Sequence, residues 1–191
     1  MSLELKRQRL ELACAKLREL RQAEPQGDPV AHDRAAANHL TTTNGISRPL
    51  ADRYVAVAKE ILAGATAVDQ ACAAPELLTR LSAFDDRFGA SFMVLPHHVE
   101  QILKGGKHMS RRFRRWGDPG DTFAVKGKRF RFNRVEQIRV GDITDEDIRK
   151  EGYTSREEFE QMWVKSHPKT VAAGKTLDPT GMCWCHEYEP A

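Results

Sequence analysis

Apolar positions along the first 89 residues recur at helical spacing, and along the last hundred they shorten and begin to alternate. Leu3, Leu10 and Leu17 repeat every seven residues, with Ala13 and Leu20 beside them. That stripe predicts an amphipathic helix over about residues 2–24, stopped by Pro25, Gly27 and Pro29. A helix of this kind must cover its stripe, either on its own chain or on a second copy, so a homodimer through the N-terminal helix is one expectation. Alanine-rich helical patterns follow at 49–65 and at 75–89, each opened by proline and closed near glycine. Overlapping the first of these, LTTTNGISRPLADRYVAV at 40–57 has the spacing of a helix-turn-helix, with Gly45 at the turn and Ser47 as a cap.

From Ser91 the pattern changes. SFMVLP reads as a short buried strand, and Pro96 opens a short helix that ends at Gly105-Gly106. DTFAVKGKRFRF alternates apolar and charged residues around Lys126-Gly127, which predicts a hairpin, and NRVEQIRVGDI continues it. Thr144 ahead of Asp145, Glu146 and Asp147 caps one short helix. Thr154 with Glu157 predicts a capping box for a second, whose Phe159, Met162 and Trp163 face inward. GMCWCHEY closes the chain as a strand. The fold class expected is α+β: a helical region over 1–89, then a small β-barrel with short helical insertions over 90–191.

Composition changes this picture in three ways. The chain has 191 residues, enough for a buried core, and a net charge of +3. Its charge is unevenly placed: residues 100–141 carry 12 basic and 4 acidic side chains, whereas residues 142–191 carry 6 and 11. A middle segment of +8 suits a partner rich in phosphate, while the balanced helical half suits a protein partner or plain scaffold. No apolar run approaches a membrane span, and MSLELKRQRL has charges among its leucines, so no membrane partner and a cytoplasmic location are expected. Four cysteines without framework spacing are expected to be reduced.

The candidate chemistry sits in GGKHMSRRFRRW at 105–116. Lys107 could serve Ser110 as a base only if its pKa fell towards neutrality. The neighbouring arginines would lower it and Glu151 would raise it, which leaves the sign open. Arg111, Arg112, Arg114 and Arg115 offer bidentate donors for phosphate, Trp116 offers a stacking face, and Lys128, Arg129 and Arg131 extend the basic run. Phe113 and Phe130 are expected in the core. Cys183, Cys185 and His186, even with His97 and His98, lack the spacing of a zinc site, and nothing calls for a metal or another cofactor.

Gly105, Lys107, Ser110 and Arg112 fit the pattern glycine, any, lysine, two of any, threonine or serine, any, arginine, which resembles the signature of ASCH domains, relatives of the PUA RNA-binding fold. Asp118-Pro119-Gly120-Asp121 resembles that family's GD turn, and residues 143–163 resemble its helical insertion; the likeness covers about residues 90–191. It implies a barrel whose cleft binds RNA or a modified nucleoside. Some small bacterial ASCH proteins remove the acetyl group of N4-acetylcytidine with a lysine, a threonine and a glutamate, and by motif those positions fall on Lys107, Ser110 and Glu151. Serine replaces the family's threonine here. Other ASCH domains bind or cleave RNA without metal, and others are parts of larger regulators, so an amidohydrolase, a ribonuclease and a regulatory adaptor with a DNA- or protein-binding helical half stand as alternatives.

Overall fold

A computed structural model describes residues 3–64, 68–93, 95–166 and 177–191. The N-terminal half is built from α1 (Leu3–Ala23), α2 (Pro29–Asn44) and α3 (Arg48–Gly64), followed by the short α4 (Val68–Cys72), α5 (Pro75–Arg80) and α6 (Asp86–Phe92). Then come α7 (Pro96–Leu103), β1 (Met109–Arg112), β2 (Thr122–Val125), β3 (Lys128–Arg139), α8 (Asp145–Lys150), α9 (Arg156–Ser166) and β4 (Met182–Pro190). The four strands form one antiparallel sheet in the order β1-β4-β3-β2, curled into a half-barrel. The architecture is α+β.

Local chemistry accounts for the hairpin. Lys126 and Gly127 both have positive φ, 47° and 78°, the backbone that a two-residue turn needs to match strand twist. Alternation along β3 then sends Phe130 and Phe132 inward and leaves Lys128, Arg129 and Arg131 exposed. A register shift between Phe132 and Arg134 bends β3 and helps the sheet curl.

Three sequence expectations need correction. SFMVLP is not a strand: Ser91 and Phe92 complete α6, and Met93 caps it, while Val94 lies outside the described residues. The helix expected over 75–89 is two helices, because Phe84 donates its backbone N–H to Thr122 O and Asp85 starts a new helix by accepting from Phe88 N. The expected Thr154–Glu157 capping box of α9 is replaced by a cap one residue later: Ser155 accepts from Glu158 N, and Glu158 accepts from the amide and hydroxyl of Thr154. By contrast, Thr144 and Asp147 cap α8 reciprocally.

One continuous apolar core runs from Leu10, Ala13 and Leu17 of α1 through Leu40, Tyr54 and Phe92 to Phe123, Phe132 and Tyr188. The stripe of α1 is therefore covered by its own chain, mainly α2 and α3. Leu3, the first residue of the expected stripe, is 59% exposed. In the stripe's next places stand two charges: Lys6 is ion-paired with Asp121, and Arg9 Nη1 lies 3.0 Å from Asp118 Oδ2. All four side chains are buried, so α1 is joined to the loop before β2 by charge as well as by packing.

The turn between α2 and α3 has the expected form, with Gly45 at φ 63° and Ser47 Oγ 3.4 Å from Leu50 N. It is engaged within the protomer: Ser47 N donates to Arg115 O at 2.7 Å and Arg115 N donates to Gly45 O at 3.2 Å. No helix of the described residues is long and apolar enough to cross a membrane.

Candidate functional site

Two left-handed glycines bring the central pair together. Gly105, at φ 77°, reverses the chain after α7 and turns Lys107 inward before β1 begins. Gly152, at φ 93°, ends α8 just beyond its C-cap residue Glu151. Lys107 Nζ then donates to Glu151 O at 2.6 Å, an ammonium at the carbonyl end of a helix, and lies 3.9 Å from Glu151 Oε1. Both side chains are buried.

Glu151 is also the anchor of Arg111. Its Oε1 accepts the Arg111 backbone N–H at 3.0 Å, and its Oε2 accepts from Arg111 Nη1. Arg111 is fully buried, with Asp147 Oδ2 3.6 Å from Nη2 and the Phe159 ring beneath it. Two cations thus share one carboxylate. Burial is the largest influence on Lys107 and pulls its pKa down to about 7, with Arg112 and Arg111 acting the same way and Glu151 opposing them. The sign left open by the sequence is thereby decided.

Ser110 stands apart from this pair. It is fully buried, and its hydroxyl lies 3.4 Å from Tyr188 Oη and 3.9 Å from Met93 Sδ. Among the described residues no hydrogen bond joins it to Lys107 or Glu151.

Beside the Lys107–Glu151 pair opens a cavity of about 470 Å³. Glu151, Arg111 and Arg112 contribute charge to its lining, and Trp116, Tyr153, Phe159, Met162 and Trp163 give it apolar and aromatic walls. His98 completes the lining with Nε2 2.9 Å from Tyr153 Oη; burial, reinforced by Lys107, pulls its pKa down to about 2, so the imidazole is neutral. Lys165 and Ser166, both exposed, also line it. The inward residues of α9 expected from the sequence are wall residues here. The sequence offers His98 only as a remote metal ligand and does not single out Tyr153, whose signal is an aromatic two residues after Glu151.

The arginines occupy different positions from those of an open basic strand. β1 ends at Arg112, so the strand alternation expected through Arg114 and Arg115 does not continue. Arg112 donates to the carbonyls of Arg111 and Phe92 and stacks on the Phe92 ring. Arg114 is exposed but donates to Thr41 O, and Arg115 lies 2.7 Å from Asp118 and over Trp184. Phe113, expected in the core, is 49% exposed with its ring edge-on to Trp163, whereas Phe130 is buried as expected. Lys128, Arg129 and Arg131 are exposed on the hairpin, outside the cavity. Cys183 and Cys185 are buried in β4, and His186 accepts from Trp116 N.

Fold and site together describe an α+β half-barrel with a charged, aromatic-walled cavity. No family model matches the chain, and no curated protein matches it. Among solved structures it is similar to an ASCH domain from Lactobacillus crispatus JV V101, with a TM-score of 0.40, 12% identity, and coverage of 78% of this chain and 97% of that one. It is also similar to a protein of Enterococcus faecalis V583 described as DUF984, with a TM-score of 0.41, 13% identity, and coverage of 50% and 67%.

Proposed function

We propose that the protein is an ASCH-type reader of a modified nucleoside, binding one planar base in the cavity. The observation that carries this reading is the pairing of an aromatic wall, Trp116, Tyr153 and Trp163, with the Glu151 carboxylate in the same cavity. A base stacks on such rings whatever its sequence context, and an exocyclic N–H finds an acceptor in a buried carboxylate. The ASCH signature at Gly105, Lys107, Ser110 and Arg112 supports the same reading.

The arginines favour a single nucleoside over a long RNA. Arg111, Arg112 and Arg115 already have partners inside the protein, which leaves Lys128, Arg129 and Arg131 as the exposed basic run. The test is a calorimetric titration with N4-acetylcytidine, cytidine and a short single-stranded RNA. Saturable binding of the modified nucleoside, tighter than about 1 mM and accompanied by tryptophan quenching, is the expected result. Binding of RNA alone, with a steep salt dependence, would overturn it.

Amide hydrolysis is the second reading, and one observation favours it: a Lys107 pKa near 7 gives a large share of neutral amine at physiological pH. Lys107 would then act as base beside Glu151, with water as the acyl acceptor and acetate as product. Release of acetate from N4-acetylcytidine, lost in Lys107→Met, would place the protein among the enzymes.

A further inference from the structure

Two buried thiols outside the cavity remain unused by this reading. Cys14 projects from α1 and Cys72 ends α4; they are 58 positions apart in the chain, yet their sulfurs are 3.8 Å apart. Both are buried within the core of the helical half. A disulfide needs sulfurs about 2.05 Å apart, so the sulfurs must close by roughly 2 Å.

We propose that Cys14 and Cys72 form a modification site, oxidised by a small disulfide such as glutathione disulfide to an intramolecular disulfide that joins α1 to α4. One cysteine, as thiolate, attacks a sulfur of the oxidant, forming a mixed disulfide and expelling one glutathione thiolate. The second cysteine attacks the protein sulfur of that mixed disulfide and expels the other. Two protein thiols lose two protons and two electrons, and one oxidant molecule becomes two thiols.

Burial controls the rate. Desolvation, reinforced by Cys72, pushes the Cys14 thiol up to about 12, so the closed protein holds little thiolate at neutral pH. Reaction therefore proceeds through opening of α4, a helix of five residues. Cys183 and Cys185 provide the internal contrast. They lie on one strand with β1 on one side and β3 on the other, and their one-residue spacing sets their Cα atoms about 6.6 Å apart, near the upper limit for a bridge.

The experiment exposes the full chain to glutathione disulfide in dilute urea, removes both, alkylates in denaturant and maps peptides by mass spectrometry. Two of the four thiols should be lost without a glutathione adduct, with a Cys14–Cys72 linked peptide. Tm should rise by roughly 5 °C or more, reversed by dithiothreitol. Cys72→Ser should instead accumulate a single adduct on Cys14 with no rise in Tm; if that variant fails to fold, Cys14→Ser gives the mirror result. Four alkylated thiols, adducts without a linkage, a Cys183–Cys185 link, or a Cys14–Cys72 link that leaves Tm unchanged would each overturn the proposal.

Discussion

Lys107 Nζ and Glu151 Oε1 lie 3.9 Å apart although the residues are separated by 44 positions, and neither side chain is more than 4% exposed. Their meeting depends on two chain reversals, at Gly105 and Gly152, which bring the ends of α7 and α8 together. Glu151 lines the cavity, and the buried amine stands directly behind it.

The pH response has a definite sign. The folded pKa of Lys107, about 7, lies below its ordinary value of 10.5, so between these limits the unfolded chain binds more protons. Stability should therefore rise with pH from 7 towards 10.5, by up to about 1.4 kcal/mol per pH unit from this residue. Urea midpoints at pH 7 and 9 should show the rise in the wild type and its loss in Lys107→Met. An identical slope in both would show that the amine is not held near neutrality.

Arg9 should matter to folding out of proportion to its place near a terminus. Replacing it with Met leaves buried Asp118 with Arg115 as its remaining cation, a change expected to cost about 3 kcal/mol by urea denaturation. Residues 90–191 expressed alone lose both Arg9 and Lys6 and should show no cooperative unfolding. A cooperative, stable fragment would mean that the half-barrel closes without α1.

Gly89 lets α6 cross close to β2. A Cβ there would stand 1.7 Å from Ala124 O in β2, so α6 could not remain seated. Gly89→Ala should lower Tm by at least about 10 °C in a thermal scan, because backbone must move apart rather than a flexible side chain.

Ser110→Ala should leave nucleoside affinity, and any hydrolysis, within about twofold of the wild type, since the hydroxyl faces Tyr188 and Met93. A fall of a thousandfold or more in turnover with unchanged affinity would restore Ser110 as nucleophile.

The sequence made much of the scaffold legible for local reasons. The Lys126-Gly127 turn, the Thr144 cap and the inward face of α9 are written in short-range chemistry, and all three stand in the structure. Phe92 falls in an apolar run that suits a buried strand and a helix end equally, and the structure takes the second. The arginine run was harder: alternation predicted a basic face, but Arg111 and Arg115 find their acids at Glu151 and Asp118, pairings set by tertiary closure. Lys6 and Arg9 on the apolar side of α1 were a visible anomaly whose partners, 115 and 109 positions away, no local pattern reveals.

The most direct test of the nucleoside reading is a crystal structure of the protein with N4-acetylcytidine at saturating concentration. The base is expected inside the cavity, its ring against Trp116, Tyr153 or Trp163 and its exocyclic nitrogen within hydrogen-bond distance of Glu151. Ligand density on the hairpin beside Lys128, Arg129 and Arg131, with the cavity unchanged, would contradict it.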